Sequence, residues 1–290
     1  MQPTITRVDE ADIEAALQVF LTSLADVRQR HGAPPMQQDV EDCRNAYQHI
    51  SKTGIFYVAK WHDYVVGTAN GIIRDGIWFL TGFWVLPDFQ GKGIGKKLLT
   101  ETLAAAKEAG ASRFFVWASV DPPAIGNYMH NGMLPGYQIF SYQLSAVAPV
   151  VVGSEYSIVA LDASAAGDID GKIWGARREV DHNYWLADDK RVGRLVMHNN
   201  KAVAYFYARK GRVGPVGYLE QAHEQATLDL AIQSASEQAE MVTLAIPGIN
   251  RSATKYIISL NGRLASSSHF LTSETFGQLE LYIPSGPLLY

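Results

Sequence analysis

The chain has 290 residues, 47% of them apolar and 19% charged, with a net charge of −4. That length suits two domains of roughly 100–200 residues each, and with no basic stripe and no apolar run long enough to span a bilayer, nucleic acid and membrane are excluded as expected partners. The polar, acidic Met1–Asp12 stretch has no signal region, and the single cysteine, Cys43, excludes an internal disulfide framework, so a cytoplasmic address is expected.

Apolar residues at Ile13, Ala16, Leu17, Phe20, Leu21 and Leu24 predict an amphipathic helix over Asp9–Val27. A loop with Gly32, Pro34 and Pro35 follows, then a more polar helix near 38–51. Ile55–Ala59, Val65–Ile73 and Ile77–Leu86 read as strands, separated by the polar turn Trp61-His62-Asp63 and the hairpin dipeptide Asp75-Gly76. A helix is predicted over 93–109, stopping at Gly110. Phe114–Val120 reads as a buried strand, Pro122–Asn131 as a short helix and Tyr137–Leu144 as a strand.

Between the third strand and the third helix lies Gln90-Gly91-Lys92-Gly93-Ile94-Gly95-Lys96-Lys97. Alternate glycines leave backbone amides bare, the helix start adds unpaired N–H donors, and the lysines add charge, which together make a phosphate cradle. It is not a nucleotide P-loop, because three residues rather than four separate Gly91 from Gly95 and Lys97 stands where a hydroxyl is needed. Nor is it a dinucleotide fingerprint, whose third glycine is replaced by Lys96. Other chemistries find no support: HExxH, clustered Cys and His ligands and a Gly-x-Ser-x-Gly elbow are all missing, and no metal site is expected. Ser266-Ser267-Ser268-His269 reads as a polar turn before a strand, and Cys43, among Glu41, Asp42 and Arg44, as incidental to chemistry.

The segment resembles the pyrophosphate loop of the GNAT N-acetyltransferase superfamily, Gln/Arg-x-x-Gly-x-Gly/Ala, at Gln90, Gly93 and Gly95, with Val85-x-Pro87 matching the usual strand end. The element order over residues 3–148 resembles that family's fold. The resemblance implies an α/β (α+β) fold with a mixed, largely antiparallel sheet flanked by helices. It also implies acetyl-CoA as co-substrate, with pantetheine along Phe83 and Val85 and the pyrophosphate at Gln90, Gly91, Lys92, Gly93, Ile94, Gly95 and Lys96. A further family pattern, Asn-x-x-Ala-x-x-x-Tyr-x-x-x-Gly, is met at Asp121, Ala124, Tyr128 and Gly132. Tyr128 is then the general acid for the departing thiolate, a role a phenol suits. Asp121 replaces the pattern's asparagine; it is open to it to accept from a pantetheine amide or to cap the helix at Pro122, and the cap is favoured. Phe79-Leu80-Thr81-Gly82-Phe83 lacks the glutamate that many members use as base, and no base is assigned. His130, offset by two from Tyr128, sits on another helix face.

Ser145–Ser154 reads as a linker, giving domains at 1–150 and 151–290. Beyond it, Asp168–Arg177 is predicted helical, and Tyr184-Trp185-Leu186 leads into the strand Val192–Met197. After the turn at His198–Lys201 come the strand Ala202–Ala208, a helix over Gln221–Ala239, the strand Met241–Ile246 and a helix over Ala253–Leu260. Asn250-x-x-Ala253 echoes Asp121-x-x-Ala124, so the second half reads as a degenerate tandem copy. Gly211-x-x-Gly214 is read as hairpin-turn chemistry; Gly217–Ala226 has no paired glycines, so the pyrophosphate loop is expected to be missing, and Glu220 and Glu224 stand where a cradle would need positive charge. This half is expected not to bind CoA, but to cover the first domain, shape its acceptor groove or mediate self-association as a homodimer. The apolar tail Tyr282–Tyr290 is expected to be docked, packed at an edge. The expected activity is acetyl transfer from acetyl-CoA to a primary amine, most simply a small molecule, by direct attack in a ternary complex. The alternative is a non-catalytic acyl-CoA-binding module that presents the second domain to a partner.

Overall fold

The computed structural model describes residues 3–34, 38–146, 152–237 and 239–290. They form two compact units: one of residues up to Pro135 together with Leu271–Glu274, the other of Gly136–Phe270 together with Thr275–Tyr290. The core of the expected linker, residues 147–151, lies outside the described residues. The compact units part earlier in the chain, after Pro135.

The first unit contains β1 (Thr4–Arg7), α1 (Ile13–Arg30), α2 (Val40–Thr53), β2 (Gly54–Trp61), β3 (Tyr64–Arg74), β4 (Ile77–Val85), α3 (Ile94–Glu108), β5 (Arg113–Ala118) and α4 (Pro122–His130). Its strands lie in chain order, antiparallel from β1 to β4, with β5 parallel to β4. Leu271–Glu274 joins this unit beside β5, where Ser273 N donates to Phe114 O at 2.8 Å. The Asp75-Gly76 hairpin is as predicted: both residues have positive φ, 46° and 79°, as a type I′ turn requires. β3 is buried along nearly its whole length because helices cover both its faces, so it reads as an unbroken apolar run. α3 comes so close to β3 that a Cβ on Gly67 would lie 2.9 Å from Leu98 Cδ1. β1 has no counterpart in the sequence reading; a four-residue edge strand with exposed ends carries too short a pattern to register.

The second unit takes β6 (Leu134–Ser145) from Gly136 onward, β7 (Tyr156–Ala160), α5 (Ala163–Ile173), α6 (Glu179–Leu186), β8 (Val192–His198), β9 (Lys201–Arg209), β10 (Arg212–Tyr218), α7 (Glu224–Ser236), β11 (Met241–Pro247), α8 (Arg251–Ser259), β12 (Arg263–Thr272) up to Phe270 and β13 (Tyr282–Ile283). Its sheet runs β12-β6-β11-β10-β9-β8-β7, with β13 also on β10. β6 pairs with β11 over seven residue pairs, from Ile139↔Pro247 to Ser145↔Met241, which is why this strand goes with the second unit rather than with the helices before it.

Four local expectations are corrected. The helix expected from Asp168 begins at Ala163, capped by Asp162, whose side chain accepts from Ala165 N at 2.8 Å. Tyr184–Leu186 is the last turn of α6, a helix hidden from periodicity because its buried face includes the polar Asp181 and His182. Gly211 does sit at the β9–β10 turn, but Gly214 lies within β10. Ser266–His269 is strand rather than turn; the first half of β12 is exposed on both faces, so its residues are polar without being a loop.

A buried polar network marks the second unit. Asp170, Arg178 and His182 are each fully buried; Arg178 Nε donates to Asp170 Oδ2 at 2.8 Å, and His182 Nε2 meets the same oxygen at 2.9 Å. Tyr205 donates to Asp170 Oδ1, and the Arg178 guanidinium lies over the Trp174, Trp185 and Tyr282 rings. Burial pushes the Asp170 pKa up, but the Arg178 charge and the hydrogen bonds from His182 and Arg178 together outweigh it and hold the carboxyl below the usual range.

Candidate functional site

The cradle segment folds as a short 3₁₀ turn at Pro87–Phe89, then Gln90–Gly93, then α3. Gly91 and Gly93 have φ of 71° and 80°, the left-handed region in which a Cβ is penalised, and nothing lies within 4 Å of where either Cβ would stand. The first helical bond of α3 runs from Lys97 N to Gly93 O at 3.1 Å, so the N–H groups of Ile94, Gly95 and Lys96 have no turn before them to bond. No side chain caps this end and its first turn holds no acid, whereas α2, α4, α5 and α8 are capped by Asp39, Asp121, Asp162 and Asn250. Lys96 and Lys97 are exposed beside it. The charge of Lys92 is directed elsewhere: its Nζ donates to Asp88 O at 2.7 Å and lies over the Phe89 ring. Gln90 serves the loop from within, its Nε2 donating to Val85 O at 2.9 Å.

The strand leading into the loop is free on one side. β4 pairs with β5 from Ile77 to Leu80 and no further. Where that ladder ends, Gly71↔Leu80 gives way to Asn70↔Gly82, leaving Thr81 as an extra residue on β4. Thr81 Oγ1 turns to the Asn70 side chain, both of them buried. Leu86 N donates to Val66 O at 2.9 Å, so by the alternation of an antiparallel ladder Phe83 and Val85 direct their backbone groups away from β3, to the side that β5 has left. The Val85 carbonyl is engaged there by Gln90 and by Ser23 Oγ at 3.1 Å, which leaves its N–H. Phe83 links the parts of the site. A Cβ on Gly95 would lie 3.0 Å from its ring, and the ring meets that of Tyr128 edge-on at 5.9 Å.

Tyr128 is buried on α4, and its hydroxyl has no hydrogen-bond partner among the described residues. Burial, and then the Asp121 charge, push its pKa well above the usual phenol range, so the group holds its proton throughout the neutral range. Asp121 accepts from Ala124 N at 3.3 Å as the α4 cap, and its other oxygen meets Arg30 Nη1 at 3.1 Å and His31 Nε2 at 3.4 Å. Both oxygens are thus already in use, and the ionic partner at the end of α1 explains a carboxylate where the motif has an amide. Asp121→Asn keeps the cap and loses a half-exposed ion pair, a cost below about 1 kcal/mol. Asp121→Ala loses both and should cost about 0.5–2 kcal/mol. Thermal unfolding of the two variants should rank them in that order.

The second unit repeats this geometry and lacks its working parts. β10 and β11 share one parallel pair, Arg212↔Thr243, and β10 carries one extra residue between Val213 and Val216. Leu219 N donates to Val203 O at 2.8 Å, as Leu86 does to Val66. The 3₁₀ turn Gln221–His223 then runs straight into α7, with no counterpart of Gln90–Gly93. Glu224 stands in the first turn, taken by the Tyr218 hydroxyl. Asn250 caps α8 as Asp121 caps α4, and Ile257 holds the place of Tyr128. Neither the paired glycines nor a loop to carry them stands between β10 and α7.

Ser23, Arg30 and His31 were not singled out from the sequence. Ser23 and Arg30 lie on α1 and His31 follows its last residue, each more than 60 residues from the group it touches, and nothing local marks them. Among the described residues no group of three or more His, Cys, Asp or Glu is placed to hold a metal, and no helix is long and apolar enough to cross a membrane.

Residues 21–133 match the model of the acetyltransferase (GNAT) family. No curated protein matches the chain. Among solved structures, a Pyrococcus horikoshii protein provisionally named an acetyltransferase is similar at 16% identity and a TM-score of 0.78, over 100% of this chain and 96% of that one. A tandem GNAT protein from the clavulanic acid biosynthesis pathway is similar at 13% identity and 0.64, over 95% and 100%. A GCN5-related N-acetyltransferase from Sphaerobacter thermophilus is similar at 14% and 0.65, over 93% and 95%. At these identities the likeness is one of fold, and it extends over both halves of the chain.

Proposed function

We propose, from the match of residues 21–133 to the acetyltransferase (GNAT) family model, that the chain moves an acetyl group from acetyl-CoA to a primary amine of a small molecule, at one site in the first unit. The observation that carries this reading is the free edge of β4, which runs from an uncapped helix N-terminus to a buried phenol with no hydrogen-bond partner among the described residues. The pyrophosphate binds the amides from Gly93 to Lys96, with Gln90 and Gly91 shaping the loop and Lys96 adding charge. Lys92 reaches it only by leaving Asp88. Pantetheine lies along Phe83 and Val85 as an added strand would, and Asp121 holds α4, and so Tyr128, in place.

The amine nitrogen attacks the thioester carbonyl directly, the C–S bond breaks, and Tyr128 gives its proton to the departing sulfur. The surplus proton on the new amide nitrogen leaves to solvent water, from which the Tyr128 phenolate is reprotonated. No covalent intermediate on the protein is needed. The amine must arrive, or become, uncharged, and no carboxylate on β4 does this. That gap favours the second reading, an acyl-CoA-binding module without turnover. Release of free CoA thiol in the presence of a panel of amines separates the two. Release above the amine-free background is expected, and its absence with every amine, alongside tight acetyl-CoA binding, would favour the binding module. Calorimetric titration with acetyl-CoA should give one site per chain; two would contradict a degenerate second copy.

A further inference from the structure

In the second unit, the space that the first unit leaves open is filled. β13 lies against β10 antiparallel, with Val216 opposite Ile283 and Gly217 opposite Tyr282. Val216 faces Phe206 as Phe83 faces Ala69, and Tyr218 faces Ala204 as Val85 faces Gly67. β13 therefore sits on the segment of β10 that corresponds to the free edge of β4.

The seat is shaped to a peptide backbone. At Gly214, φ is 127° and a Cβ would lie 2.4 Å from Pro284 O; at Gly286 it would lie 2.4 Å from Arg212 Nη2, which donates to Ser285 O at 3.1 Å. Tyr282, Ile283 and Tyr290 are fully buried. Arg178 holds both ends of the segment, donating to the Tyr282 hydroxyl at 2.9 Å and to Tyr290 O at 3.0 Å. Tyr282 donates to the same Tyr290 oxygen at 2.6 Å.

We propose that the β10/β11 cleft of the second unit is a strand-binding groove whose ligand is this chain's own segment Tyr282–Tyr290, seated where an acyl-pantetheine arm would lie in a working copy. The ligand class follows from the contacts: an extended peptide that adds one short strand to β10 and presents a tyrosine hydroxyl and a main-chain carbonyl to Arg178. Glu224 and the missing loop turn away the diphosphate, and the added strand takes the backbone groups that pantetheine would need. The groove and its occupant go beyond the acetyl-transfer reading and stand without it; only the comparison with a pantetheine arm rests on that reading.

Hydrogen exchange on the full-length protein tests the groove with no acyl-CoA present. In the wild type, the amides of Val216, Tyr218 and Ile283, which by the ladder alternation face across the β10–β13 pairing, should exchange at least about 1000-fold more slowly than in an unfolded chain. Ile283→Asp puts a carboxylate into the closed groove and should release the segment, raising exchange at those amides about 100-fold while β8, β9 and the first unit keep their protection. A synthetic peptide of residues 282–290 added to that variant should bind 1:1 and restore protection at Val216 and Tyr218, whereas a scrambled peptide should not. Tyr282→Phe, which keeps the packing and loses the Arg178 contact, should raise exchange in the segment alone by about tenfold. Unprotected amides in the wild type, or no rescue by the peptide, would overturn the proposal. So would loss of protection across the whole second unit in both variants, since the segment would then be ordinary core.

Discussion

Tyr128→Phe lowers turnover by roughly 10²–10⁴-fold while acetyl-CoA affinity and folding stability stay near wild type. The hydroxyl has no hydrogen bond to lose among the described residues, and the ring that remains keeps its edge-on contact with Phe83. Stability is thus decoupled from chemistry at this position. Only a step that needs the O–H proton is affected, and in the proposed reaction that step is protonation of the departing thiolate. Burial, with Asp121 second, keeps the phenol protonated, so the alkaline limb of the rate profile should not come from this group. Single-turnover kinetics with acetyl-CoA and a reactive amine, set beside a direct binding measurement, check both halves. Turnover within a few-fold of wild type would make Tyr128 a packing residue and return the acid to an unassigned group.

Gly93→Asp abolishes acetyl-CoA binding at working concentrations, a loss of at least about 100-fold, or about 2.7 kcal/mol. Two effects add. Gly93 has φ +80°, where a side chain is strained by about 1 kcal/mol. The larger effect is that a carboxylate at this position becomes the missing cap of α3: it accepts from the first-turn amides and sets negative charge where the diphosphate must bind. Helix stability can even rise as the ligand is lost. Gly93→Asn is the control, since asparagine tolerates the left-handed region and caps without charge; it should lose less affinity. Calorimetry on both variants checks the order, and unchanged affinity in the aspartate variant would remove the cradle from the site.

The parts of this protein that sequence determines are those set by neighbours in the chain. Gly91, Gly93 and Gly95 specify a bare backbone, the stripe Ile94, Leu98, Leu99 and Leu103 specifies the helix behind it, and Asp75-Gly76 specifies its hairpin, because each signal repeats within a few residues. The spacing from Asp121 to Tyr128 belongs to the same class, being a cap and a face of one short helix. α6 escaped because its buried face is polar, and β1 because four residues at an edge make no period.

Tertiary structure alone decided which strand edges stay free. The β4 edge opens because β5 leaves it after Leu80, and the β10 edge is closed because residues 282–283, more than 60 positions away, pair with it. The same holds for Arg30 and His31 on Asp121, and for Arg178 on Tyr282 and Tyr290. Residues that carry such contacts look like ordinary surface arginines or tail tyrosines in the chain, since the energy that places them comes from partners brought close only by folding. The sequence therefore carries the motifs on which the proposed chemistry of the first site rests, and the fold decides that the matching edge in the second unit is paired by the chain itself.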